Sequence, residues 1–207
     1  MKARLAILIS GRGSNMRAIV EACQEGILTP LAEAVIVLCN KPGAAGLEVA
    51  RQAGVPAVVV PSKGKSREAF EQQLLATLQP LRIDLVVLAG FMRVLTPLFV
   101  HAYPQRIINI HPADTRAYQG AHAYTWAHEN KLTTTWITVH RVDDGVDTGE
   151  VLGRAEVDLR GAVDLEEIQR RGLEVEHRLY PEVLRQLLSG GRMTRATALA
   201  TESLRTR

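Results

Sequence analysis

The feature that most narrows the fold is a repeated alternation: an apolar run, a turn bearing glycine or proline, then a segment with helical spacing. The runs are residues 4–9, 33–39, 55–60, 81–89 and 106–111. Helix-patterned segments fall between them, from Ser14 or Asn15 to about Cys23, over 44–53, over 67–78 and from Thr96-Pro97. Strands joined through helices build βαβ units, whose crossovers make the sheet largely parallel and cover it with helices. The runs 133–140 and 150–157 are separated by a polar, glycine-bearing loop and no helix, which predicts an antiparallel pair extending that sheet. A helix 121–129 precedes them, and 165–188 is mostly helical, with Gly172 interrupting it and Pro181 kinking or restarting it. The expected fold is α/β, with a Rossmann-like N-terminal half, a mostly parallel, C-terminally mixed central sheet and flanking helices. Residues 1–189 read as one domain and 190–207, poor in periodicity, as a flexible tail.

Composition removes several classes of function. Of 207 residues, 46% are hydrophobic and 23% charged, enough for a substantial core and against global disorder. The net charge of +3, with no concentrated basic and aromatic patch, gives nucleic-acid binding little support. Cys23 and Cys39 form neither a CxxC pair nor a ligand cluster and suit packing positions in a reducing compartment. The N-terminal apolar run is short and turns directly into glycines, so it reads as a strand and not a signal peptide. No segment reaches membrane-spanning length without charge, which makes the cytoplasm the expected location. His111, His122 and His128 form no zinc pattern, and Asp143, Asp144 and Asp147 lack the twelve-position calcium pattern, so no metal is expected.

Two stretches carry chemistry. In Ile107-Ile-Asn-Ile-His111-Pro112 the isoleucines mark a buried strand that Pro112 ends. Asn109 and His111 are two apart, so they share a face. A polar pair near the carboxyl end of a buried strand is where open α/β sheets bind ligands. An amide donor for an oxyanion beside an imidazole able to relay protons suits acyl transfer or hydrolysis. The other stretch, Gly11-Arg12-Gly13-Ser14-Asn15, leads from strand to helix. Glycines allow close backbone approach, Ser14 or Asn15 can cap the helix, and its first amides can hold an anion. It is not a full dinucleotide fingerprint, because Met16 stands at the third glycine position. Asn40 also replaces the acidic residue that would hold a ribose, which argues against a nicotinamide-dependent oxidoreductase.

Taken together, Gly-Arg-Gly-Ser-Asn at 11–15, Gly-Phe-Met-Arg-Val-Leu at 90–95, Asn-Ile-His-Pro at 109–112 and Asp-Asp-Gly-Val-Asp-Thr-Gly at 143–149 resemble the phosphoribosylglycinamide formyltransferases over about residues 3–187. The resemblance implies transfer of formyl from 10-formyltetrahydrofolate, a cosubstrate, to the primary amine of glycinamide ribonucleotide in purine synthesis. It implies catalytic roles for Asn109, His111 and Asp147. It places the ribonucleotide on Gly11, Arg12, Gly13, Ser14, Asn15, Arg67 and Glu176. Folate falls to Met92, Arg93, Val94 and Leu95 and to a second loop, Arg141, Val142, Asp143, Asp144, Gly145 and Val146. It implies no required metal and allows a homodimer. One departure stands out: where many relatives continue Ser-Leu-Leu-Pro after Asn-Ile-His-Pro, this chain has Ala113-Asp-Thr-Arg-Ala-Tyr-Gln-Gly120. The alternatives are formyltetrahydrofolate hydrolysis on the same catalytic fold and, with less support, a nonenzymatic nucleotide- or folate-binding protein.

Overall fold

A computed structural model describes residues 1–190. The proposed tail, apart from Gly190, lies outside the described residues. In chain order the elements are β1 (Ala3–Ile9), α1 (Ser14–Gln24), β2 (Ala32–Cys39), α2 (Ala45–Gln52), β3 (Ala57–Val59), α3 (Arg67–Leu78), β4 (Leu85–Leu88), α4 (Pro97–Ala102), β5 (Ile107–His111), α5 (Ala123–Glu129), β6 (Thr134–Arg141), β7 (Val151–Asp158) and α6 (Leu165–Leu188). The seven strands form one sheet in the order β3-β2-β1-β4-β5-β6-β7. From β3 through β5 every pairing is parallel, and β5–β6 and β6–β7 are antiparallel, as the strand spacing predicts.

Alternation along β1 explains the two-sided core. Leu5, Ile7 and Ile9 pack with Met16, Ile19 and Val20 of α1 and Leu179 and Val183 of α6. Ala6 and Leu8 face Phe70 and Leu74 of α3 and Phe99 of α4. Both faces are therefore covered, which is why the parallel strands read as nearly unbroken apolar runs. The strand order reverses direction between β1 and β4, the point at which open sheets leave a crevice beyond their carboxyl ends.

Two local expectations fail for tertiary reasons. The cap of α1 is Gly13 in the left-handed region (φ +77), with no side-chain capping bond, so neither Ser14 nor Asn15 caps it. Asn15 instead turns its amide to a carboxylate on α6. Nor is α6 broken: it runs 24 residues through both Gly172 and Pro181, starting at an Asp164 side chain that accepts from the Glu167 amide. Proline removes one ladder bond there, but Pro181 is buried, and packing outweighs the local loss. Tyr180, wholly buried, donates from its hydroxyl to the Leu88 and Ile108 carbonyls and ties α6 to β4 and β5.

Candidate active site

A cavity of about 300 Å³ opens beyond the carboxyl ends of β4 and β5. Asn109 and His111 enter it from β5, and Asp147 from the loop after β6. The antiparallel register puts Asn109 directly opposite His140, so these two side chains are neighbours on one face. His140 thereby joins the site.

The three polar groups converge on the Asp147 carboxylate. Asn109 Nδ2 donates to its Oδ1 (3.3 Å), and His140 Nε2 lies 3.3 Å from the same oxygen. The Gly120 amide donates to Oδ2 (2.9 Å), and His111 Nδ1 is 3.5 Å from that oxygen. Asp147 itself is held in the left-handed region at φ +54, which is uncommon for a residue other than glycine. Burial alone would raise its carboxyl, but the bonds from His140 and Gly120 and the charges of the two histidines outweigh that and hold it below the ordinary value.

The histidine protons can be placed from their partners. His111 Nε2 lies 3.0 Å from the Tyr118 carbonyl, which only accepts, so Nε2 carries the proton and Nδ1 faces Asp147. Burial lowers the His111 pKa, and His140 adds to this, against the opposing pull of Asp147 and the Tyr118 carbonyl. A neutral imidazole is therefore poised to take a proton on the nitrogen facing a carboxylate. By the same logic His140 Nδ1 donates to the Arg141 carbonyl (2.7 Å), while its Nε2 lies between Asn109 Nδ2 (3.2 Å) and the Asp147 carboxylate (3.3 Å). The Asn109 bond to Asp147 is long, so the amide is only loosely tethered, and an anionic acceptor in the cavity can compete for its protons.

The cavity mouth is apolar. Met92, Val94 and Val146 line it at 62%, 47% and 42% exposure. Arg93, Leu95, Val142, Asp143 and Gly145 also line it. Arg141 and Asp144 do not: Arg141 pairs with Glu150 and donates to the Gln105 carbonyl, and Asp144 pairs with His101 of α4. The exit of the 90–95 loop is fixed by buried Glu71, which accepts from the Thr96 amide at 2.7 Å and from its hydroxyl.

The glycine turn lies beside this cavity, not in its wall. Gly46 of α2 donates its amide to the Gly11 carbonyl (3.0 Å), and a Cβ at Gly46 would lie 2.9 Å from that backbone carbonyl oxygen and 2.6 Å from Ile9 Cδ1, so the close approach of the two backbones requires glycine. Ser10 joins the two regions: its hydroxyl donates to Asn40 Oδ1 (2.6 Å) and accepts from the Met92 amide (2.8 Å). Asn40 in turn donates to Ser62 (3.0 Å) and is satisfied as a buried structural residue. Gly11 and Arg12 are exposed, Gly13 and Asn15 buried and Ser14 intermediate. Arg67 is exposed at the start of α3, and Glu176 is buried against Asn15. The divergent segment carries its own polar clasp, with Asp114 taking Arg116 (3.1 Å) and Arg154 (3.3 Å), while the Tyr118 ring stacks on His111 and Trp126.

Sequence reasoning missed His140, His122, Tyr118 and Gly120 as parts of this site. The sequence pattern predicts a helix 121–129 that includes His122; in the structure α5 starts at Ala123, and His122 stands at its N-cap position in the left-handed region (φ 68) and lines the cavity. Among the described residues no group of three or more His, Cys, Asp and Glu is arranged to hold a metal ion, and no helix is long and apolar enough to cross a membrane.

An amide donor, an imidazole and an ionised carboxylate at the carboxyl edge of a mostly parallel sheet have the chemistry that acyl transfer needs. A family model described as formyl transferase matches residues 3–184. The chain is 38% identical over 187 residues to phosphoribosylglycinamide formyltransferase of Escherichia coli K12, covering 90% of this chain and 87% of that one. It is 40% identical over 188 residues to the trifunctional purine biosynthetic protein adenosine-3 of Drosophila melanogaster, of whose length it spans 14%. The crystal structure of glycinamide ribonucleotide transformylase 1 from Symbiobacterium toebii superposes with a TM-score of 0.88 at 38% identity, covering 95% of this chain and 92% of that chain. The chain belongs to the formyl transferase family, on the branch of the phosphoribosylglycinamide formyltransferases.

Proposed function

We infer that this chain transfers formyl from 10-formyltetrahydrofolate to the primary amine of glycinamide ribonucleotide. The observation that carries the reading is the convergence of Asn109, His111 and His140 on one ionised Asp147 at the base of a cavity with an apolar mouth. A flat, largely apolar donor suits the rim of Met92, Val94 and Val146, with its formyl carbon directed to the polar base.

The substrate amine attacks the formyl carbon, and the developing oxyanion draws a proton contact from Asn109 Nδ2. His111, neutral at rest, gains its proton on Nδ1 beside Asp147, which stabilises the imidazolium formed. Proton movement from amine to departing folate nitrogen then runs along this pair, directly or through water. The phosphate end of the ribonucleotide is assigned to Gly11–Asn15, whose amides begin the 11-residue α1, with Arg67 as the flanking cation.

Product analysis tests this. The protein, given glycinamide ribonucleotide and 10-formyltetrahydrofolate, should yield formylglycinamide ribonucleotide and tetrahydrofolate in equal amounts. Formate release independent of the ribonucleotide would make it a hydrolase. Saturable binding of either ligand with no product would make it a binding protein.

A further inference from the structure

We propose that Tyr124 is a positioning residue for the ribonucleotide: through Glu176 it fixes the Asn15 carboxamide, so that Asn15 Oδ1 offers an oriented acceptor to a hydroxyl or amine of the substrate. The proposal rests on the assignment of Gly11–Asn15 to the ribonucleotide. Glu176, 4% exposed on α6, takes one neutral donor on each oxygen: the Tyr124 hydroxyl on Oε1 and Asn15 Nδ2 on Oε2. A carboxylate facing these donors only accepts, so it settles which end of the asparagine faces it: the NH2 group points to Glu176 and Oδ1 points away. Asn15 is 7% exposed, and among the described residues its Oδ1 meets no hydrogen-bond donor. A buried acceptor of this kind is costly until a donor reaches it, and a substrate that brings one gains the difference on binding.

Gly172 makes the contact possible. It lies one turn before Glu176 on α6, and a Cβ there would sit 2.1 Å from the Tyr124 hydroxyl oxygen and 2.3 and 2.4 Å from two ring carbons. Glycine in a helix interior is destabilising relative to alanine. Here it opens the gap through which a side chain from α5 reaches a carboxylate that no cation neutralises among the described residues. Burial raises the Glu176 carboxyl pKa against the two donors, so loss of the tyrosine hydroxyl weakens the hold on its charged form.

The test is steady-state kinetics with glycinamide ribonucleotide and 10-formyltetrahydrofolate on the unmutated chain, Tyr124→Phe, Gly172→Ala and the double variant. Tyr124→Phe keeps the ring and should raise KM for the ribonucleotide about tenfold, the scale of one hydrogen bond to a charged group. KM for the folate and kcat at saturation should stay put. Gly172→Ala, which forces the ring aside, should reproduce that KM, and the double variant should add nothing further. Equal ribonucleotide KM in Tyr124→Phe and the unmutated chain overturns the proposal, as does a rise of both KM values together. An unmutated chain that neither binds nor formylates the ribonucleotide overturns the functional reading and, with it, this one.

Discussion

Replacing Asp147 by asparagine should cost stability in a pH-dependent way. The carboxylate faces four nitrogens: Gly120 N at 2.9 Å, Asn109 Nδ2 and His140 Nε2 at 3.3 Å each, and His111 Nδ1 at 3.5 Å. An asparagine must put its NH2 on one side. If it replaces Oδ2, two N–H groups meet at Gly120. If it replaces Oδ1, the NH2 meets that of Asn109. Either way at least one hydrogen bond to a charged acceptor is lost, at about 1.5–3 kcal/mol. The folded-state pKa of Asp147 lies below its ordinary value of 3.8. Its ionised form therefore contributes stability above pH 3.8, lost as pH falls through the depressed folded value. Urea unfolding at pH 7 and again near pH 3 should show the variant weaker by about 1.5–3 kcal/mol at pH 7, with the gap closing toward acid. A gap that stays constant or widens as pH falls would refute the charge-based account. The same substitution should lower turnover, because His111 would gain its proton beside a neutral amide.

Three other substitutions probe separate parts of the molecule. Asn109→Ala should reduce kcat by about 10²–10³-fold in a formyl-product assay, the usual loss for one oxyanion donor, and unchanged turnover would remove Asn109 from the chemistry. Tyr180→Phe leaves two buried carbonyls without that hydroxyl. The loss of about 1–3 kcal/mol should lower Tm by about 2–4 °C for each kcal/mol, which calorimetry would detect. Arg67→Ala should raise KM for the ribonucleotide and leave that for the folate alone; a parallel rise in both would place Arg67 elsewhere.

Much of this architecture can be read from one-dimensional pattern. Strand positions follow from apolar runs, and the shared face of Asn109 and His111 follows from a spacing of two. The α6 boundaries, Leu165–Leu188, match the periodic segment. What pattern cannot show is register. His140 lies in an alternating strand like any other until the β5–β6 pairing sets it opposite Asn109. Asn15 reads as a helix cap from local chemistry, and only a carboxylate 161 positions away explains its true orientation. Gly172 looks like a helix breaker until Tyr124 is seen lying against it. Arg141 and Asp144 sit within a loop whose neighbours line the cavity, but backbone direction turns their side chains to Glu150 and His101. In each case a tertiary contact that the local pattern does not show sets the outcome.

The two halves of the site have very different spans along the chain. Asn109, His111, His140 and Asp147 are contributed by neighbouring segments, whereas Asn15 meets Glu176 across 161 residues. During synthesis from the N-terminus, every group assigned to the chemistry therefore leaves the ribosome before the carboxylate that orients Asn15. The Asn15–Glu176 contact can close only once α6 has been made and docked, so a chain cut short before Glu176 has the groups assigned to the chemistry but lacks the carboxylate that orients Asn15.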